Sequence, residues 1–253
     1  MRRPRLPRPS MVMLPNGFTL GNLFFGVLAI MAASKGEHER AVWYIIIGAV
    51  CDAIDGRVAR ATGTGSRFGE ELDSLVDAIS FGFAPAIMMY FAVLRKDGLD
   101  WFFVFLFSAC AVMRLARFNV EQAGRKKTHF RGLPSPVAGG TLATYYWFSQ
   151  TPLYQETVIS DLPWHTMVRF LMAGLAFLMI SNVPYPAMPT FSAKTLRGVL
   201  GLVAFIGLIF GLIFLPKDFF FPVGMLYVIY GIVASVVKGL LDTDRAPIEE
   251  ITA

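Results

Sequence analysis

Long stretches without a charged side chain constrain the fold of this chain more than any other feature. They lie at 18–34, 78–94, 132–155, 170–193, 198–216 and 219–237. Each has about the length of a membrane-spanning helix, which needs roughly 17–25 residues. Charged residues make up only 16% of the chain, whereas a soluble domain usually carries about 25%. The sequence therefore predicts an integral membrane protein and excludes an ordinary soluble domain.

Two shorter apolar stretches, 41–51 and 101–113, end at Asp52 and Arg114. They are long enough to cross a membrane only if the helix continues through the charged residue. With them, we expect an all-α fold, a polytopic membrane bundle of about eight transmembrane helices. Charged residues inside such helices are costly and usually functional. These two continuations are therefore the expected place of a functional site.

The distribution of lysine and arginine predicts the orientation of the bundle. Cytoplasmic loops carry an excess of these residues, and eight spans place most of them on the side of the arginine-rich N-terminus. We predict a basic cytoplasmic N-terminal segment (1–15), a transmembrane catalytic domain (16–240) and a cytoplasmic C-terminal tail (241–253). We expect no cleaved signal peptide, and we expect the inner or plasma membrane of a prokaryote as the location.

The excess of lysine and arginine in cytoplasmic loops also explains the formal net charge of +5, together with attraction to anionic lipid head groups. The lipid bilayer is the expected partner, and no nucleic acid is expected. Cys51 and Cys110 each lie in an apolar stretch and have neither disulfide nor zinc spacing. A homodimer is compatible with the sequence.

Four aspartates lie between the apolar stretches 41–51 and 78–94. On a helix, Asp52 and Asp55 share one face with Gly56, and Asp73 and Asp77 share one face of the next helix. A short loop makes the two helices antiparallel neighbours, so the four carboxylates converge. Their repulsion requires cations, and hard divalent ions with oxygen ligands serve phosphoryl chemistry in such sites. The alternative is that these carboxylates are solvated, or paired with arginines, at the membrane surface.

These residues form the pattern Asp-x-x-Asp-Gly-x-x-Ala-Arg, eight residues, Gly-x-x-x-Asp-x-x-x-Asp, from Asp52 to Asp77. The pattern resembles the signature of the CDP-alcohol phosphatidyltransferases, membrane enzymes of phospholipid synthesis. The resemblance implies that the four aspartates hold two divalent ions, Mg²⁺ or Mn²⁺, and that Asp77 accepts a proton during catalysis. It also implies that Gly56, Arg60 and Ser66 contact the CDP group.

Polar residues also open the first apolar stretch, at Asn16, Thr19 and Asn22. Such groups at a helix N-terminus suit an anion, and in the family this region faces the nucleotide and its phosphates. We therefore assign these three residues to CDP-diacylglycerol binding. The alternative for Asn16 is that it caps the helix.

The acceptor alcohol is predicted from two further segments, Arg114-Leu-Ala-Arg117-Phe-Asn and Phe-Arg-Gly-Leu-Pro-Ser135-Pro. Both resemble segments of the phosphatidylserine synthase branch of the family. A serine acceptor has a carboxylate that needs a cation, and guanidinium binds carboxylates with two parallel bonds. Arg114, Arg117 and Ser135 are thus the candidate serine-binding residues. Either arginine could instead be a membrane anchor or a phosphate contact.

The resemblance as a whole implies transfer of the phosphatidyl group from CDP-diacylglycerol to the hydroxyl of L-serine, with release of CMP. The first alternative is the same chemistry with glycerol 3-phosphate or inositol phosphate as the acceptor. A remote alternative is an ion-coupled transporter, since aspartates inside a membrane also mark ion pathways.

Overall fold

The computed structural model describes residues 9–63, 66–95, 97–122, 129–156, 163–186, 210–211 and 214–243. Helices dominate these residues. In chain order they are α1 (Pro9–Ser34), α2 (His38–Thr62), α3 (Arg67–Leu94), α4 (Asp100–Gln122), α5 (Ser135–Phe148), α6 (Pro152–Gln155), α7 (Trp164–Ile180) and α8 (Pro216–Thr243). A short antiparallel pair, β1 (His129–Arg131) and β2 (Pro184–Pro186), accompanies them.

The first two helices form an antiparallel hairpin. The turn between them contains Gly36, whose φ of 81° is costly for residues with a side chain. The pair packs closely where Gly48 of α2 faces α1, because a Cβ there would meet Asn22 Oδ1 at 2.9 Å. Helix α2 continues through Asp52 and ends before Gly63, whose φ is 63°. The predicted continuation of this helix through its charged residues is confirmed.

Helix α3 carries two π-helical turns, at Ala78–Phe83 and Tyr90–Leu94. The first begins immediately after Asp77. Helix α5 crosses this turn at Gly139, since a Cβ there would lie 2.9 Å from Phe81 Cα. Single π-helical turns often occur at functional sites because the extra residue shifts the side chains that follow. This turn fixes where Asp77 lies relative to α5.

Helix α4 also continues through its charged residue, Arg114, to Gln122, as the sequence predicts. Its other end is fastened to α7, because Arg169 Nε donates to Asp100 Oδ1 at 2.9 Å. The same guanidinium bonds Asp97, and Asp100 is fully buried. A buried carboxylate needs such a partner, so this end of α4 is held firmly against α7.

A short β1–β2 pair accompanies the mostly helical structure, which is consistent with the predicted all-α fold. Tyr185 lies opposite Phe130 in this pair, and Gly132, with φ of 78°, turns the chain towards α5. Pro184 and Pro186 cannot continue helix α7 because they lack the amide hydrogen, and prolines are tolerated in an edge strand. The sequence predicts one apolar span over 170–193 and no strand pair there.

Four helices in the described residues are long and apolar enough to cross a membrane: Pro15–Ser34, Arg67–Leu94, Asp100–Glu121 and Pro216–Val237. The eight-span count is not confirmed. Helix α2 carries too many charges, and α5 and α7 are 14 and 17 residues long. Most of the stretch at 198–216 lies outside the described residues.

Candidate active site

The aspartates of α2 and α3 come together at one end of the bundle. One oxygen each of Asp52, Asp55 and Asp73 lies within 4.8 Å of the others. Asp52 and Asp55 are one turn apart on α2, and α3, which carries Asp73, follows after a short connection. Asp55 is 5% exposed, so the cluster extends below the protein surface.

Asp77 joins the cluster from the next turn of α3. Its carboxylate contacts that of Asp52 and accepts a bond from Asn22 Nδ2 at 3.3 Å. Asp77 is 7% exposed. All four predicted carboxylates therefore converge.

The donor set fits a divalent cation. Asp73 Oδ1 is buried and has no hydrogen-bond partner, which is costly for a carboxylate oxygen. No ion pair with a described residue engages any of the four aspartates. Oxygen ligands of this kind and number are those that Mg²⁺ and Mn²⁺ prefer.

Helix α1 supports the carboxylates directly. Thr19 Oγ1 donates to Asp55 Oδ2 at 2.8 Å, and Asn22 holds Asp77. Ser80 Oγ in turn donates to the Asn22 carbonyl at 3.1 Å. Thr19 and Asn22, assigned from the sequence to CDP-diacylglycerol, therefore lie against the carboxylates and orient them.

Asn16 does not cap a helix, so that alternative was wrong. Helix α1 begins at Pro9, well before Asn16, because proline at a helix start loses no intrahelical bond. Asn16 instead faces the start of α3, where its Oδ1 would lie 3.3 Å from a Cβ on Gly69. It borders the carboxylate cluster from the α1 side.

The three residues assigned to the CDP group lie around the same end of α2 and α3. Arg60 folds back over Gly56, since a Cβ there would meet Arg60 Nη1 at 3.3 Å. Ser66 caps α3 by accepting the Gly69 amide hydrogen at 3.0 Å. Ser66 therefore has a structural role at this helix start, while the exposed Arg60 is available to an anion.

Arg114 and Ser135 form a second polar group beside Asp77. Arg114 Nη1 donates to Ser135 Oγ at 3.0 Å, and Arg114 is only 6% exposed. Its Nε is buried without a partner. Asp77 is the acidic residue that acts on this guanidinium electrostatically. A buried guanidinium with an open donor, next to the carboxylates, can receive an anion.

Arg117 has a different environment. Its guanidinium donates to the carbonyls of Met179, Ile180 and Ser181 at 3.2, 2.9 and 3.1 Å, at the end of α7. It also donates to the Arg131 carbonyl at 2.9 Å. Helix ends leave such carbonyls without intrahelical partners. Arg117 therefore fastens α4 to α7 and β1, and is not brought into the group formed by Arg114 and Ser135.

Two features of the site had no assigned role in the sequence. Asn119 bridges α4 and α3, accepting from Ser74 Oγ at 2.9 Å and donating to Glu71 Oε2 at 3.0 Å. Tyr227 of α8 lies within electrostatic range of Arg114. Asn119 belongs to the segment that resembles the serine branch and could have been noticed there. Nothing in the sequence around Tyr227 marks it.

Comparison with known proteins places this geometry in context. A family model described as CDP-alcohol phosphatidyltransferase matches residues 12–167. A CDP-diacylglycerol–serine O-phosphatidyltransferase of Helicobacter pylori is 32% identical over 230 residues, covering 90% of this chain and 93% of that protein. An archaetidylserine synthase of Methanothermobacter thermautotrophicus is 35% identical over 188 residues, covering 74% and 75%. A CDP-diacylglycerol–serine O-phosphatidyltransferase of Mycobacterium leprae is 34% identical over 203 residues, which cover 75% of this chain. The chain spans 64% of that relative's length.

Proposed function

This chain belongs to the CDP-alcohol phosphatidyltransferase family, and we propose that it transfers the phosphatidyl group of CDP-diacylglycerol to the hydroxyl of L-serine, giving phosphatidylserine and CMP. The names of the relatives from Helicobacter and Mycobacterium support serine as the acceptor. The observation that carries the proposal is the buried Arg114, whose Nε has no hydrogen-bond partner and whose guanidinium interacts electrostatically with Asp77.

The donor side of the reaction belongs to the carboxylate cluster. Asp52, Asp55, Asp73 and Asp77 would hold two divalent ions, Mg²⁺ or Mn²⁺. When bound, such ions neutralise the diphosphate of the donor and stabilise charge on the departing phosphate. Arg60, exposed at the same end of α2, adds a positive charge for the CDP group. Thr19 keeps Asp55 in place by its 2.8 Å bond.

The acceptor side belongs to α4 and α5. The Arg114 guanidinium binds the serine carboxylate, and Ser135 orients that guanidinium through its 3.0 Å bond. The serine hydroxyl then faces Asp77, which takes its proton as the hydroxyl oxygen attacks phosphorus. The bond from phosphorus to the CMP oxygen breaks, and CMP leaves. Asn22 holds the Asp77 carboxylate for this step, as a general base requires fixed geometry.

Among the residues that the structure describes, few cations lie near Asp77, and this favours serine over the phosphorylated acceptors. Glycerol 3-phosphate or inositol phosphate would bring two negative charges and call for several basic groups. Arg114 is the guanidinium that faces Asp77, whereas the donors of Arg117 are taken by backbone carbonyls. One guanidinium suits one carboxylate.

Release of labelled CMP with a panel of acceptors tests the proposal. Purified protein, CDP-diacylglycerol and Mg²⁺ are incubated with serine, glycerol 3-phosphate or inositol phosphate. We expect release with serine at least tenfold above the others, and the largest rate with a phosphorylated acceptor would refute the serine assignment. The Arg60→Lys variant should keep this acceptor preference, since Arg60 belongs to the donor side.

We also propose that the active site and both termini face the cytoplasm, in a catalytic bundle spanning residues 16–240 between the two terminal segments. The lysine and arginine bias supports this orientation. Single cysteines introduced at Lys126 and at Gln155 should react with an impermeant reagent from opposite membrane faces, with position 126 cytoplasmic. Labelling from one face would remove the span between them. A homodimer remains a separate proposal, tested by crosslinking in the membrane.

A further inference from the structure

The inner face of helix α8 is fixed against the bundle at two glycines. Gly224, Tyr227 and Gly231 lie at i, i+3 and i+7 and therefore share one face of the helix. A Cβ on Gly224 would meet the Thr141 side chain of α5, with Thr141 Cβ at 3.1 Å. A Cβ on Gly231 would meet the Tyr185 ring of β2. Tyr227 lies between these two contacts and thus points into the bundle.

Tyr227 is held in place by Tyr185. The two rings stack with centroids 5.4 Å apart and planes 25° apart. Tyr185 is fully buried and donates its hydroxyl to the Val228 carbonyl at 3.4 Å. Through β1 and β2, Tyr185 is tied to Phe130, just before the segment that leads to Ser135. The position of the Tyr227 phenol is thereby linked to the acceptor side of the site.

The Tyr227 side chain also lies near Arg114. It lies within electrostatic range of that guanidinium, whose Nη1 bonds Ser135 and whose Nε is buried without a partner. Arg114 therefore has both Asp77 and Tyr227 as electrostatic neighbours. The proposed function puts the carboxylate of the acceptor at Arg114, and thus close to Tyr227.

We infer that Tyr227 is an acceptor-binding residue: its phenol oxygen accepts a hydrogen bond from the amino group of the acceptor whose carboxylate Arg114 holds. The inference rests on the proposed function and extends it to helix α8. The match to the family model ends at residue 167, so Tyr227 comes from the part of the chain beyond that match.

The chemistry of the two side chains supports this division of roles. A guanidinium has donors only, so Arg114 can bind the carboxylate of an amino acid but not its ammonium group. A phenol oxygen accepts hydrogen bonds, and it adds no charge beside Asp77. An amino-acid acceptor needs both kinds of partner at one site, whereas an acceptor without an amino group needs only the first.

The test compares Tyr227→Phe with Tyr230→Phe, a matched control on the lipid-facing side of α8, where Tyr230 is 59% exposed. Phenylalanine keeps the ring and its stacking on Tyr185 and removes only the oxygen. We expect Tyr227→Phe to raise the serine KM roughly 10- to 150-fold, as for loss of one hydrogen bond to a charged group. The kcat and the KM for CDP-diacylglycerol should stay near wild type, as should all constants of Tyr230→Phe.

A competitor locates the contact on the acceptor. 3-Hydroxypropanoate has the hydroxyl and carboxylate of serine but no amino group, so its inhibition constant should be the same in Tyr227→Phe as in wild type. An unchanged serine KM would overturn the inference, and so would an equal loss of affinity for serine and 3-hydroxypropanoate. Failure of the proposed function is distinguishable, because the wild-type protein itself would then not use serine.

Discussion

Replacing Arg114 by lysine keeps a positive charge beside Asp77 but removes the planar group that forms two parallel bonds with a carboxylate. In the structure Arg114 already spends Nη1 on Ser135, at 3.0 Å. Its remaining donors, including the buried Nε, are those available to the acceptor. The Arg114→Lys variant should therefore lose about one charge-assisted bond to serine.

A hydrogen bond to a charged group contributes about 1.5–3 kcal/mol, which corresponds to a rise of roughly 10- to 150-fold in the serine KM. The kcat should change much less, because the lost bond is present both in the bound ground state and in the transition state. The KM for CDP-diacylglycerol should stay near wild type, since the donor side lies on α2 and α3.

Arg117→Lys is the matched control for this prediction. Arg117 bonds four backbone carbonyls at the ends of α7 and β1, two of them partly buried, so lysine should lower the stability by about 1.5–3 kcal/mol. Its serine KM should remain near wild type in the folded protein. Steady-state CMP release gives the KM values, and thermal unfolding in detergent gives the stability. An increased serine KM in Arg117→Lys with none in Arg114→Lys would refute this assignment of roles.

Three further outcomes are expected. EDTA should abolish CMP release, and Mg²⁺ or Mn²⁺ should restore it; full turnover without metal would rule out the metal site. The Asp73→Asn variant should lose at least about 100-fold in activity, whereas Glu70→Gln, a change at an exposed neighbour, should keep full activity. Asp77→Asn should lower kcat about 10²- to 10⁴-fold while CDP-diacylglycerol still binds in a filtration assay; a normal kcat would exclude it as the base. Gly139→Ala should destabilise the protein by about 1–3 kcal/mol through overpacking against the α3 backbone, whereas Gly140→Ala, with nothing within 4 Å, should not; equal melting temperatures would contradict that packing.

The carboxylate cluster could be predicted from the sequence because its geometry is local. Spacings of three and four residues fix the faces of α2 and α3, and a short connection fixes their antiparallel pairing. The structure brings one oxygen each of Asp52, Asp55 and Asp73 within 4.8 Å of one another, although the hydrogen bond from Thr19 to Asp55 comes from α1. The continuation of α2 and α4 through charged residues was predictable for the same reason.

The roles of Arg114 and Arg117 could not be separated in this way. They lie three residues apart on one helix, and their sequence context is equally basic. What separates them is the end of α7, which reaches Arg117 because Gly132 and the β1–β2 pair bring that end to α4. The strand pair itself was not predicted, since two three-residue strands flanked by prolines carry no periodic pattern.

The two sides of the site therefore differ in how far apart their residues lie in the chain. The carboxylates of the donor side come from one segment, 52–77, whereas the acceptor side joins α4 and α5 and, by our inference, α8. Changes at Ser135 or Tyr227 can then alter which alcohol is used while the carboxylates keep their positions. Asp77 is where the sides meet, because it contacts Asp52 on one side and faces Arg114 on the other. A substitution on the acceptor side that lowers kcat more than it raises KM should therefore act by displacing Asp77.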